Sequence, residues 1–171
     1  PLSSFLFLDI AAFRNECRAL IEPVPDLSNT IQFINLTHAR ISGIETSIRF
    51  ALFKRHIDGQ FGYTYLDPVD IELNETLGYR SKHMLNGSIT GRYLNMELGF
   101  DYRYYEKLET VKVYPDDPRV PQKVLDGRFS VHFNRWTFLI NANNMFNHMH
   151  TQIERTIMPI RNYTATVKRK L

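Results

Sequence analysis

Two short runs of the sequence carry side chains whose spacing could support chemistry. His148 and His150 are separated by one residue, so on a strand their imidazoles would share a face and could begin a metal site. Ser130 and His132 have the same spacing, which could pair a hydroxyl nucleophile with a base. The histidine pair has no third ligand nearby, and Ser130 lacks the tight turn of an activated nucleophile. We therefore predict an exposed strand end at the histidines, with no metal, no cofactor and no catalysis.

Opposite charges lie in the middle of segments that are otherwise apolar. Over residues 96–105 apolar and aromatic side chains alternate with polar ones that include Glu97, Asp101 and Arg103, and Asp126 and Arg128 follow the same pattern. A period of two sends successive side chains to opposite faces of a strand, so each segment has one apolar and one charged face. This predicts an all-β fold, the wall of an antiparallel transmembrane β-barrel, apolar toward lipid and polar toward a wet lumen.

The composition agrees with a barrel and argues against other classes. No stretch of the 171 residues approaches the ~20 consecutive apolar residues of a membrane helix, while aromatic residues make up 13%. The formal charge of +3 is small and scattered, so we predict no nucleic-acid partner. The single cysteine, Cys17, excludes an internal disulfide.

Turn residues divide the chain into about eight strands whose connections are alternately long and short. We expect Pro23 and Pro25 to keep the first long connection out of the ladder, and residues 56–59 to reverse the chain. Trp136 follows a short turn, where an aromatic belt is expected. The predicted strands cover residues 5–21, 30–54, 60–66, 82–93 and 96–105, two strands joined at Asn134-Arg135, and residues 162–171.

Four local motifs occur in order along most of the chain. They are residues 8–15 with Leu20-Ile21-Glu22-Pro23, Asn35 with residues 39–45, residues 77–83, and residues 141–147 with 158–163. Together they resemble the carboxyl-terminal part of TonB-dependent outer-membrane receptors. Three positions depart from the family pattern: Ser81 replaces a usual proline, Ile160 a common glycine, and Leu171 the usual terminal aromatic residue.

The resemblance implies a barrel of about 22 strands, of which residues 1–171 would form the carboxyl-terminal part. An amino-terminal plug domain and the earlier strands would precede Pro1, and TonB would supply energy. The implied location is the bacterial outer membrane, with the carboxyl terminus in the periplasm. The implied partners are outer-membrane lipid, the plug, TonB and a small-molecule metal chelate or cobalamin-like ligand.

The implied function is active uptake of a scarce nutrient, typically a ferric siderophore, with cobalamin or haem as alternatives. A soluble β-sandwich that binds carbohydrate is the alternative from a different class. The polar-phase charges either contact the plug and a hydrated lumen or neutralise one another on a wet wall. These charges are Glu45, Arg49, Arg92, Glu97, Asp101, Arg103, Asp126 and Arg128. The loop residues that could touch a ligand are Tyr79, Tyr114, Asp116, Asp117, Arg119, His148 and His150.

Overall fold

The protein is built from antiparallel strands, as the alternating sequence predicts. A computed structural model describes residues 4–26, 30–153 and 155–170. Across these ranges, no helix is long and apolar enough to span a membrane. The strands are β1 (Phe5–Pro25), β2 (Ile31–Leu52), β3 (Ile57–Asp70), β4 (Glu75–Thr76), β5 (His83–Tyr93), β6 (Met96–Tyr105), β7 (Gln122–Phe133), β8 (Trp136–Asn143), β9 (Thr151–Ile153), β10 (Thr156–Ile157) and β11 (Asn162–Arg169).

The main sheet is a meander. Its order is β1-β2-β3-β5-β6-β7-β8-β11, with β4 paired to β3, while β9 and β10 form a separate hairpin. Strands β1 and β11 stand at opposite ends of this order, so the sheet is an unclosed part of a barrel. From β2 to β11 the connections alternate between short and long, as predicted, but only five residues separate β1 from β2. We call the two rims of the sheet the long-loop end and the short-turn end.

Residues that face each other across the strands confirm the predicted phase. Leu98 lies opposite Phe129, and the next pair along the ladder is Glu97 opposite Ser130. Because directly opposed residues share a face of an antiparallel sheet, the first pair belongs to an apolar face and the second to a polar face. The apolar face remains uncovered in this chain; Leu6, for example, is 75% exposed.

Aromatic side chains mark the short-turn end of the apolar face. Trp136 begins β8 opposite Phe133, and Tyr93 lies at the end of β5, opposite Met96. All three aromatic side chains are exposed. Their position fits the predicted belt, in which amphipathic rings occupy the membrane interface.

The predicted proline loop is wrong. Pro23 lies opposite Phe33 and Pro25 opposite Ile31, inside the ladder between β1 and β2. Strand β1 has one neighbour in the described sheet, so a residue without an N–H can be accommodated on its other side.

The predicted turn at residues 56–59 is also misplaced. The chain reverses through Phe53–Arg55, where three consecutive side-chain-bearing residues have φ of 50°, 55° and 68°. Three left-handed residues without glycine run against local preference, so sequence rules favoured the later Asp58-Gly59. Strand β3 therefore starts at Ile57, and it continues past Pro68 to Asp70.

Adjacent substitutions on β7 test the two faces. Phe129→Arg places a charge on the apolar face, where lipid contact makes it cost about 2–4 kcal/mol near the bilayer midplane. Ser130→Arg places the same charge on the polar face and should cost much less. Unfolding titrations of the full-length protein in lipid vesicles measure both, and equal losses of stability would contradict the assigned faces.

Candidate functional site

Four charged side chains on β6 and β7 form two diagonal ion pairs on the polar face. Asp101 lies directly opposite Asp126, a like-charge arrangement that is unfavourable by itself. Each carboxylate is paired with an arginine of the other strand: Arg103 Nη2 donates to Asp126 Oδ2 at 2.5 Å, and Arg128 donates to Asp101. Both diagonals therefore pair opposite charges, which offsets the repulsion between the two aspartates.

Gly99 leaves the space that one of these ion pairs occupies. Arg128 lies opposite Gly99, and its guanidinium also reaches Thr90 Oγ1 on β5, at 2.9 Å. A Cβ atom built on Gly99 would lie 2.6 Å from Arg128 Nε, closer than real atoms approach. The absence of a side chain at Gly99 thus lets Arg128 cross β6 and link three strands.

A second group of ion pairs extends the network toward the short-turn end. Arg92 on β5 donates to Asp58 on β3, and its Nε lies 2.9 Å from Glu97 Oε2 on β6. The Arg49 guanidinium lies 4.8 Å from the centre of the Phe7 ring. Glu45 lies on the same face, opposite Ala11 and Thr64. Six of the eight predicted charges pair with one another; contact with a plug stays a prediction.

An open cavity of about 660 Å³ lies at the long-loop end. It is lined mainly by apolar and aromatic side chains, and its charged lining residues are Asp117, Arg119 and Arg155, which leave one excess positive charge. The apolar and aromatic lining consists of Pro23, Ile31, Phe33, Tyr79, Leu108, Val111, Val113, Tyr114, Pro118 and Val120.

Tyr79 anchors the loop that forms one wall of this cavity. Its hydroxyl accepts hydrogen bonds from the backbone N–H groups of Lys112 and Val113, at 3.2 and 3.0 Å. Its own N–H donates to the Thr110 carbonyl at 3.0 Å. Tyr79 has φ of 59°, a left-handed conformation that turns the chain here. The loop after β6 is thereby fixed through its backbone.

Two ion pairs add to this anchoring. Lys112 Nζ lies 2.9 Å from the buried Glu22 carboxylate of β1, and Lys82 Nζ lies 2.6 Å from Glu109 Oε2. The hydrogen bond with Glu109 favours the charged ammonium and raises the pKa of Lys82. Removal of Lys112 would leave the Glu22 carboxylate buried without its partner, which is costly. The cavity wall is therefore fixed to β1 and to the start of β5.

Arg155 joins two loops at the cavity edge. Its guanidinium carbon lies 3.7 Å from the centre of the Tyr114 ring, and its Nε donates to Asp117 Oδ2 at 3.1 Å. Sequence reasoning missed Arg155 because nothing local marks an arginine of one loop as the partner of another. It also missed Glu22 as an anchor, although Glu22 belongs to one of the four family-like motifs.

The loop residues predicted as ligand contacts fall into two groups. Tyr79, Tyr114, Asp117 and Arg119 line the cavity, whereas Asp116 is exposed beside it. His148 and His150 lie elsewhere, and their rings stack with centres 6.0 Å apart.

The exposed strand end predicted at the histidines is wrong. His148 Nε2 donates to the Pro121 carbonyl at 2.7 Å, His150 Nδ1 lies 3.1 Å from the His148 carbonyl, and His150 is buried. In the described ranges, no group of three metal-ligating side chains comes together.

Comparison with protein families identifies the barrel. Residues 2–145 match the model described as TonB dependent receptor-like, beta-barrel. The chain belongs to the TonB-dependent receptor family. This family consists of outer-membrane receptors and transporters rather than enzymes, and its barrel fold replaces the soluble β-sandwich considered above.

Solved structures share the fold at low sequence identity. The copper transporter OprC superposes with a TM-score of 0.77 at 13% identity, over 97% of this chain and 29% of that one. The siderophore receptor PirA from Acinetobacter baumannii gives 0.72 at 13%, over 96% and 29%. BauA, the ferric preacinetobactin receptor from the same organism, gives 0.69 at 18%, over 95% and 27%. The chain thus spans under a third of each structure. A comparison with curated sequences finds no match.

A double-mutant cycle tests the role of Gly99. Gly99→Ala should displace Arg128 and destabilise the full-length receptor by about 1 kcal/mol, the usual scale for a partly exposed charged hydrogen bond. In an Arg128→Ala background the same substitution should cost almost nothing. Gly91→Ala is the control, because a Cβ there meets only the Leu98 carbonyl, at 4.0 Å. An unchanged cost of Gly99→Ala in both backgrounds would contradict this role.

Proposed function

We propose that this chain forms the carboxyl-terminal wall and part of the ligand-binding loops of a receptor for TonB-dependent uptake of a ferric siderophore. The observation that carries the proposal is the cavity at the long-loop end. Its volume of about 660 Å³ falls within the range of small-molecule sites, which span about 300–1,000 Å³. The cavity is built from loops, and loops on a rigid scaffold commonly carry binding residues.

The chemistry of the lining supports an organic metal chelate. Apolar and aromatic side chains such as Phe33 and Tyr114 bury the rings and chains of an organic ligand. Arg119 supplies a guanidinium to which the anionic oxygens of a chelate can bind. PirA is a siderophore receptor and BauA is the ferric preacinetobactin receptor, which favours this cargo class. Haem and cobalamin remain the alternatives, because both also combine extended apolar surface with polar groups.

The remaining partners follow from the same proposal. The long-loop end lies outside the cell, and the carboxyl terminus after β11 lies in the periplasm. The polar face lines a lumen that is filled by an amino-terminal plug, which the ion-paired residues such as Arg103 and Asp126 contact. TonB acts through parts of the receptor that precede this chain.

The cargo site is tested by substitution of Tyr114. Tyr114→Ala removes a ring from the cavity and the contact with Arg155, so the affinity for cargo should fall about tenfold, or ~1.4 kcal/mol. Lys107→Ala is the control, because Lys107 is exposed on the same loop and does not line the cavity. The effect is measured in cells with equal receptor levels. A panel of siderophores is loaded with radioactive iron, and their binding and uptake are compared between variants.

The same assay separates the alternatives. Binding and uptake of labelled haemin or cyanocobalamin, with no ferric siderophore bound, would replace the siderophore with one of these cargoes. Equal affinities of both variants and the parent receptor would remove the cavity from the binding site.

The orientation has its own test. In a Cys17→Ser background, Asp116→Cys should react with a membrane-impermeant maleimide on intact cells, because it lies in a long loop. Arg135→Cys, in a short turn, should react only after the outer membrane is opened. The reverse pattern would invert the proposed orientation. Both positions are exposed, so access to the reagent depends on the side of the membrane.

A further inference from the structure

The apolar face of β1 and β2 changes character toward the long-loop end. On β1, exposed aliphatic residues such as Leu8 and Ile10 are followed, in the same phase, by charged residues. On β2 the same face carries Ile44 and Ile48 and then Arg40 and His38. We call the charged group the basic cluster; it consists of Arg14, Glu16, Arg18, His38 and Arg40.

The register brings the basic cluster together across the two strands. Glu16 lies directly opposite Arg40, and Arg18 lies opposite His38. Arg14 Nη2 lies 2.5 Å from Glu16 Oε1, and His38 Nε2 lies 3.7 Å from Glu16 Oε2. Glu16 thus contacts Arg14 and His38 and lies opposite Arg40.

The basic cluster carries an excess of positive charge. The cluster holds three arginines and one glutamate, and a second carboxylate, Asp67, lies on the same face opposite Ser42, so one positive charge remains uncompensated even when His38 is neutral. The Arg14 side chain is 61% exposed and Arg18 is also exposed. Like-charged guanidinium groups at close range repel one another, so their juxtaposition favours an anion in contact with them.

The face on which the cluster lies identifies the anion. Side chains of this phase point away from the lumen and, nearer the short-turn end, are apolar and meet lipid. The cluster begins where that aliphatic stretch ends, at the level where a bilayer places its charged head groups. Arginine binds phosphate through two parallel hydrogen bonds, and long cationic side chains reach the interface while their stems stay on apolar surface.

We propose that the basic cluster is a binding site for the phosphate groups of a phosphorylated glycolipid in the outer leaflet of the membrane. Arg14, Arg18 and Arg40 donate to the phosphate oxygens, and Glu16 separates the guanidinium groups. The choice of leaflet rests on the proposed function, which puts the long-loop end outside the cell. The phosphate chemistry itself rests on the cluster.

The test uses the full-length receptor in detergent with bisphosphorylated lipid A as the probe. Native mass spectrometry of a lipid titration gives the affinity. Arg18→Gln and Arg40→Gln should each weaken binding about tenfold, because each removes a charged hydrogen-bond donor. Glu16→Gln should strengthen binding, because it removes a negative charge from beside the phosphate. Lys123→Gln is the control: Lys123 is an exposed cation at the same end of β7, in the same phase as Phe129 and outside the cluster.

Two further arms make the outcome decisive. Lipid A from which the phosphates have been removed should bind the parent receptor and the Arg18→Gln variant with equal affinity. Cargo affinity should be unchanged in all these variants, since the cluster lies outside the lumen. Binding that ignores the phosphates, or an equal loss with Lys123→Gln, would overturn the proposal. Inverted maleimide labelling with intact phosphate binding would overturn the leaflet and the proposed orientation, but not the cluster.

Discussion

A strand that crosses a membrane has no water to bind its backbone, and most of this architecture depends on that constraint. Every N–H and C=O group inside the hydrocarbon region must be paired within the protein. Antiparallel neighbours that follow one another in sequence satisfy this with short turns, and the sheet order from β1 to β11 follows the chain throughout. Once the ladder is formed, successive side chains point to opposite faces of the sheet. Contact with lipid favours apolar residues on one face, and contact with the interior of the barrel favours polar residues on the other.

The polar face shows how charge is tolerated in such a wall. Asp101 and Asp126 occupy directly opposed positions, and each forms an ion pair with a diagonal arginine, Arg128 or Arg103. These groups remain partly exposed, so they retain water and do not bear the full cost of burial. Gly99 contributes by leaving space rather than by making a contact. The network therefore links β5, β6 and β7 through polar contacts on this face.

Much of this sheet could be predicted because alternation and turn residues agree. Strand β6 was predicted with its observed bounds, since ten residues alternate without interruption between two turns. The hairpin of β9 and β10 was missed because three-residue and two-residue strands carry too few positions to show a period. The sequence predicts the aromatic loop residues that line the cavity. It does not predict the contact of Arg155 with Tyr114, because the two residues belong to loops that are distant in sequence. Such contacts depend on the tertiary arrangement, which local sequence rules do not contain.

The way Tyr79 anchors the loop after β6 bears on how receptors of this kind diversify. The hydroxyl binds the backbone amides of residues 112 and 113 rather than their side chains, and Ser81 Oγ likewise donates to the Glu106 carbonyl. Every residue except proline offers the same amide, so the position of Val113 depends little on which side chain it carries, whereas Lys112 is also held by its ion pair with Glu22. Mutation can therefore change the chemistry of the cavity wall while the wall stays in place. A scaffold of this kind can acquire a new cargo preference through point substitutions, without first losing its fold.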